Sequence, residues 1–431
     1  MYRSRACVGV FAAAALLGWS ALPARSGEAA KSCCPDLEDL LSGLTASLSG
    51  GDKSERTVRI YGQLNRAVMV WDDGRRSGTY AIDNETSSSR LGVAGKHKLP
   101  ADGLMAGYRV EIDSRVTLSS QVSAGDPWGD LSEGAVRLRH AYWYVEGKNL
   151  GRLTFGQQSP ATDDITLINL GSEMNDAALH YNNNFGIWLN LGGGLTTDLK
   201  WGHIAHNVDS LRGLFVRYDT PVMAGVVLSA AAGEDGVWDI AARYQAEGGG
   251  LRFAGGVGYM DNPDQRFRDV RGSVSLLHDA SGLYVSAAGG LRDDDVPVLD
   301  GRAHFHYLQV GISRRWLAHG KTTLYADYGL YRNFHVGNQL QADLGPAGAF
   351  LIWGTLSETE VQRWGFGAEQ AFDRSGLLLY AQAHHYQATV KGFPCNPGFT
   401  DTPADCGLSN TLQELPTKPW LGLVVGARIR F

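Results

Sequence analysis

The stretch LMAGYRVEIDSRVTLSS, beginning at Leu104, admits few folds. Read as a strand, it places Ala106, Tyr108, Val110 and Ile112 on one face and Arg109, Glu111, Asp113 and Arg115 on the other. Burying that second face in a sheet core would strip four charges of water, so the strand needs an apolar medium on one side and water on the other. The ending LGLVVGARIRF repeats the demand. Leu421, Leu423, Val425, Ala427 and Ile429 share a face with Phe431, against Gly422, Val424, Gly426, Arg428 and Arg430.

The first thirty residues supply a context. Arg3 and Arg5 precede an apolar stretch from Ala6 to Leu22 and a small-residue zone containing Gly27 and Ala29, which reads as a secretory signal peptide over residues 1–29. No lipobox-like run leads into Cys33 or Cys34, so neither is read as a lipidated N-terminus. After residue 30 no continuous apolar run is long enough for a membrane-spanning helix. An exported chain of such strands that crosses a membrane must therefore close into a barrel, because an open sheet edge would leave amides and carbonyls unpaired in lipid. Without the signal segment the chain has 36 basic against 44 acidic residues, a net charge of −8, which argues against nucleic acid as a partner. The 55 glycines fit a sheet protein with many tight turns.

Residues 30–53 read as a short N-terminal helical, periplasmic segment in which Leu37, Leu41, Leu44 and Leu48 form a brief coiled-coil seam. It either helps to register subunits or is an ordinary leader. Residues 54–431 fall into paired strand-like runs: 57–71 with 88–98, 104–119 with 135–147, 150–158 with 211–219, 222–232 with 236–247, 250–260 with 268–279, 282–292 with 304–316, 320–334 with 358–372, and 376–390 with 419–431. Seven connectors are tight, namely LPADG at 99, GKN at 147, TP at 220, EGG at 247, DAS at 279, LAHG at 317 and RSG at 374; the other eight are mostly longer. The expected fold is all-β, a transmembrane antiparallel up-and-down β-barrel of about sixteen strands with short turns on the periplasmic rim. A soluble all-sheet enzyme or lectin sandwich is the competing fold, and it explains neither the even count nor the alternation.

The charged parity supplies candidates for a lumen. In AVRLRHAYWYVEG, Leu138, His140, Tyr142 and Tyr144 alternate with Arg137, Arg139, Ala141 and Trp143, so Arg109, Arg137 and Arg139 are expected to form a basic patch at a constriction. Arg90, Glu111, Asp113 and Arg115 are expected on the lumen wall, with Lys96 and Lys98 sharing the parity of Arg90, and Arg59, Gln63 and Asn65 grouped on the preceding strand. Arg66 is the exception, because it shares its face with Ile60, Leu64 and Val68 and needs a subunit interface, a bulge or a register break.

The excursion over 159–210 is too long for a turn. It is expected to fold inward, setting Asp163, Asp164, Glu173 and Asp176 across from the arginines, so that a transverse field orients polar solutes. Trp71, Trp188, Tyr218, Trp316, Trp353, Trp364 and Trp420 are candidates for interfacial girdles. His384 and His385 are read as wall or rim residues and no metal or other cofactor is expected. No catalytic motif is recognisable, so the chain is not read as an enzyme. Cys395 and Cys406 form a possible disulfide in the last long loop.

The stretches SCCPDLEDLL, RIYGQLNRAVMVWDDG, SSSRLGVAGK, RHAYWYVEG followed by GRLTFGQQSPATDD, VRYDTP and the terminal ARIRF together resemble the general porins of Gram-negative bacteria, especially those of alpha-proteobacteria. The resemblance implies a sixteen-stranded outer-membrane barrel, a homotrimer, and a water-filled channel for passive diffusion of ions and small hydrophilic solutes. It implies contact with outer-membrane lipids and lipopolysaccharide, and it makes Ile429 and Phe431 part of the signal read by the barrel assembly machinery. It places the constriction loop from near Gln158, with Asp163 and Asp164 on its acidic side. The long excursion and the large loops at 335–357 and 391–418 depart from a compact general porin. They leave two alternatives, a channel selective for sugars or organic acids and a surface binding or adhesion protein on the same scaffold.

Overall fold

The computed structural model describes residues 56–101, 103–123, 126, 128, 134–174, 186–206, 208, 212–294, 302–343, 350–394 and 411–431. The expected signal peptide, the 30–53 segment with its two cysteines, Asp176, and the Cys395–Cys406 pair lie outside these residues.

Sixteen strands form the barrel. In chain order they are β1 (Arg56–Asp72), β2 (Arg90–Lys98), β3 (Leu104–Ser114), β4 (Val136–Gly147), β5 (Gly151–Gln158), β6 (Gly213–Asp219), β7 (Val226–Gly233), β8 (Trp238–Gly248), β9 (Leu251–Asn262), β10 (Phe267–His278), β11 (Leu283–Asp294), β12 (Arg302–Leu317), β13 (Gly320–Arg332), β14 (Phe350–Phe372), β15 (Leu377–Pro394) and β16 (Trp420–Arg430). Each pairs antiparallel with its successor. β1 closes the ring on β16 from Gln63↔Arg430 to Asp72↔Leu421. Closure pairs the backbone groups that an open sheet would expose to lipid. Phe431 continues this seam, exchanging backbone hydrogen bonds of 3.0 and 3.1 Å with Gly62.

The expected strands coincide with β1–β16 in their central parts and differ at some ends. β3 stops at Ser114 and not at 119, because Thr117 adopts a φ of 55° and turns the chain. β7 starts at Val226 and not at 222, after a turn in which Ala224 and Gly225 have φ of 50° and 84°. β14 starts eight residues before the expected 358, since its outer part pairs with the short strand Gln339–Asp343. The external-side connectors Glu234–Gly236 and 263–266 are as short as the periplasmic turns, so the alternation in length comes from the other external loops.

Around the barrel the outward positions are exposed and apolar, among them Leu64, Val68, Val110, Phe155, Val216, Ile240, Val257, Val270, Leu308, Phe366, Leu423 and Val425. In water so large a greasy surface would aggregate; in a bilayer it is the lipid-facing band. Tyr218, Trp316 and Trp364 are exposed on this side, as girdle residues should be. Trp71 and Trp420 are corrections to the expected girdle, since they are buried inside the barrel. The reading of β4 also needs correction. Its register shifts between Glu111 and Ile112 of β3, leaving Arg139 as the extra residue of a bulge. Beyond the bulge the parity inverts, so Arg137 faces the same side as His140, Tyr142 and Tyr144, while Leu138 and Trp143 face lipid.

Arg66 is accommodated by a change of partner strand. β1 pairs with β2 up to Gln63↔Arg90 and then, from Arg66↔Asp83, with the short strand Ser77–Asp83. There the Arg66 guanidinium lies 3.6 Å from Asp83 and donates to the Val116 carbonyl at 3.4 Å and to Thr117 Oγ1 at 3.3 Å.

Candidate functional site

The register across β1–β6 fixes which side chains share the inner wall. Three successive rows run Gln63–Arg90–Asp113–Arg137, Tyr61–Gly92–Glu111–His140 and Arg59–Ala94–Arg109–Tyr142. Two further rows toward the periplasmic rim run Thr57–Lys96–Gly107–Tyr144–Thr154–Arg217 and Lys98–Met105–Glu146–Arg152–Asp219. With the bulged Arg139, this arc holds nine basic residues against the four carboxylates Glu111, Asp113, Glu146 and Asp219.

Two of those carboxylates organise the arginines. Glu111 is fully buried; it pairs with Arg109, accepts from Tyr61 Oη at 2.8 Å, and forms ion pairs with Arg139 Nε at 2.9 Å, in a geometry that makes no hydrogen bond, and with Arg90 at 3.9 Å. Asp113, also buried, accepts two bonds from Arg137 at 2.7 and 3.1 Å and has Arg139 at 3.6 Å. Glu85 lies 3.9 Å from Arg137 as well, and sharing three carboxylates among four guanidinium groups pins the arginines and leaves the cluster positive by one. The expected basic patch is thus brought together, with Arg90 in the same cluster. Arg115 lies just past β3, its backbone N–H donating to the Ala135 carbonyl at 2.9 Å.

The excursion after β5 folds inward, and residues 159–174 run around the inner wall in strand order. Arg217 of β6 donates to the Pro160 carbonyl at 2.8 Å. Asp239 of β8 accepts the Ala161 and Thr162 N–H groups at 3.1 and 2.6 Å and the Thr162 hydroxyl at 2.7 Å. Ser273 of β10 donates to the Ile165 carbonyl at 2.6 Å, and Ser275 accepts the Leu170 N–H at 3.0 Å. Glu369 of β14 accepts from Ser172 Oγ and from the Glu173 and Met174 N–H groups at 2.9 and 3.4 Å. Arg428 of β16 lies 3.6 Å from the Glu173 carboxylate. A side chain at Gly258 of β9 would stand 2.5 Å from Thr162, so the absence of one lets the loop lie flat on the wall.

Asp163 is half-buried and Asp164 exposed on this segment, beside Arg243, which donates to the Asp163 carbonyl at 2.6 Å. The acidic side therefore carries its own cation. Asp239, Ser273, Ser275 and Glu369 are anchors that the sequence reading missed. The available signal was their polar inward parity on β8, β10 and β14.

The second half of the excursion makes a hairpin of Trp188–Asn190 and Thr196–Lys200 followed by a helical turn, Trp201–Ile204. Ile187, Leu189, Leu199, Trp201 and Ile204 pack on inward-facing Phe305, Tyr331, Val361, Tyr386, Val390, Trp420 and Val424 of β12–β16, and on Met69 and Trp71 of β1. This arc of the interior is dry. Within it Arg363 and His384 hold Asp327 at 2.9 and 3.0 Å, all three buried, so His384 is a wall residue with a defined partner. Among the described residues no group of His, Cys, Asp and Glu has the arrangement of a metal site.

Residues 13–390 match the sequence family described as Gram-negative porin. No curated protein matches the chain. Among solved structures, in-vitro folded OmpT, an outer membrane protein of Vibrio cholerae, is 15% identical with a TM-score of 0.52, over 89% of this chain and 99% of that one. An anion-selective porin from Comamonas acidovorans is 15% identical with a TM-score of 0.50, over 88% of this chain and 100% of that one. At these identities the likeness speaks for the fold.

Proposed function

The chain belongs to the Gram-negative porin family, and from that premise we propose how its interior is used as an outer-membrane channel for passive diffusion of ions and small hydrophilic solutes. Its work is transport and not catalysis. The observation that carries the reading is the division of the closed barrel's interior: the inward loop lies along β6–β16 while β1–β5 present a partly exposed, charged wall. Water and ions pass along that charged arc. Arg90, Arg109, Arg137 and Arg139 form its basic side, and Asp163, Asp164 and Glu173 sit on the loop opposite.

The charge count favours an organic-acid bias over a sugar bias. Nine basic against four acidic wall residues attract anions despite the negative charge of the whole chain. The alpha-proteobacterial type of porin is supported by the SCCPDLEDLL, RHAYWYVEG and GRLTFGQQSPATDD stretches. A homotrimer, contact with lipopolysaccharide, and reading of Ile429 and Phe431 by the assembly machinery follow from the same reading.

Planar-bilayer recording of the purified, refolded protein under a potassium chloride gradient tests the function. Ohmic steps, grouped in threes for a trimer, with a reversal potential on the anion-selective side are expected. Correctly folded, inserted protein that passes no current would overturn the channel and move attention to the external loops.

A further inference from the structure

We infer that the periplasmic part of the charged wall is a stacking site for flat organic anions, carboxylates borne on an aromatic or conjugated ring. The inference rests on the channel reading and adds a preference within it. Two tyrosines of the wall lie flush against the sheet over glycines. A Cβ at Gly107 would stand 2.3 Å from the Tyr144 ring, and one at Gly92 would stand 2.4 Å from the Tyr61 ring. Any larger residue at either position would lift the ring off the wall.

Each ring carries arginine on its face. The Arg152 guanidinium carbon is 3.5 Å from the Tyr144 ring centre, a van der Waals separation that stacking allows. Arg109 and Arg59 lie 5.2 and 5.4 Å from the Tyr61 centre. Arg109 is committed to Glu111. Arg59 and Arg152 make no ion pair among the described residues, and Arg152 Nε is buried without a hydrogen-bond partner although Glu146 is its cross-strand neighbour.

An arginine held against a ring has a fixed plane. Its N–H edge can meet a carboxylate through two in-plane bonds, and an attached flat ring then extends along the wall. A saturated ring of the same charge carries axial hydrogens that strike the tyrosine or the sheet. The wall therefore distinguishes shape as well as charge, which a lysine or an unstacked arginine would not.

Bi-ionic reversal potentials with sodium benzoate on one side and sodium cyclohexanecarboxylate on the other test this in the full-length protein. The two anions match in charge and nearly in size. Benzoate is expected to be favoured about threefold beyond the ratio of the free-solution mobilities. Arg152→Lys, which keeps the charge and loses the plane, and Tyr144→Leu are each expected to reduce the preference toward the mobility ratio. Both anions are read in one channel, so a change in conductance or yield cancels. Permeation of the wild type at the mobility ratio, or full preference retained in Arg152→Lys, would overturn the stacking site. A wild-type protein that conducts no potassium chloride overturns the channel reading instead, and the two failures are thereby distinguished.

Discussion

The inner walls of β1–β5 and of β12–β16 obey the same alternation and end in opposite media. The first presents Arg59, Arg90, Arg109, Arg137 and Arg152 to the passage, with carboxylates buried among them. The second presents Phe305, Tyr331, Tyr386, Trp420 and Val424, and these are covered by the loop hairpin. A strand's period tells which residues point inward, and it does not tell whether water meets them there. What covers a wall is decided by a segment more than a hundred residues away in sequence.

The sharpest way to break the contrast is to empty the dry arc. Trp201 is almost completely buried, 5.9 Å from Tyr386, which is itself 5.1 Å from Trp420. Trp201→Ala is expected to weaken hairpin docking by about 3–5 kcal/mol, visible as larger or noisier single-channel steps and as tryptic cleavage at Lys200. Unchanged conductance and resistance to trypsin would show that the arc stays dry without this contact.

Acidification acts on the same hairpin. Burial pushes His203 down to about 4 and His206 down to about 3. His203 stacks at 4.8 Å on His335, which burial also lowers, and Lys200 adds a further opposing charge. Both rings are neutral when docked, so their contribution is complete above the unfolded value of about 6.5 and is lost as pH falls toward 4. Hydrogen exchange in 186–206 should accelerate at pH 4.5 relative to pH 7 beyond the intrinsic rate change. Equal protection at both values would remove the histidines from the account.

Cutting an anchor is a milder test. Glu369→Gln replaces a charged acceptor that serves the 172–174 segment with a neutral one, at a cost of about 1–3 kcal/mol to loop docking. Increased current noise with unaltered barrel melting is the expected result. Selectivity changes sharpen the other side of the contrast. Arg109→Gln and Arg139→Gln should each reduce anion preference by about 0.6 kcal/mol, the value for one charge acting at about 7 Å in water, roughly a factor of three in reversal-potential measurements. Asp163→Asn with Asp164→Asn should move selectivity the other way, toward anions, and by less, because Arg243 already offsets that pair. A shift equal to that of the arginines would mean that the two aspartates act alone at the narrowest point.

The legible parts of the molecule were those governed by local period. The strands around Leu104–Ser114 and Trp420–Arg430 were readable because an uncompensated charged face excludes every burial but one. Arg109 followed from that parity, whereas strict alternation along β4 sets Arg137 and Arg139 on the face of Trp143, and only the bulge at Arg139, which leaves no periodic trace, brings Arg137 inward. The anchors Asp239 and Glu369 looked like any lumen polar residue. They gained their role only from the loop that reaches them, seventy-seven and about two hundred positions away.

The sequence by itself determined the closed barrel, its greasy exterior and the presence of a charged interior, because those follow from the two-residue period of a strand and from the need to pair every backbone group in lipid. Only the tertiary structure decided which half of the interior remains wet. That choice depends on where the excursion after Gln158 docks, and docking is set by non-local contacts from Arg217, Asp239, Ser273, Glu369 and the apolar residues of β12–β16 acting together.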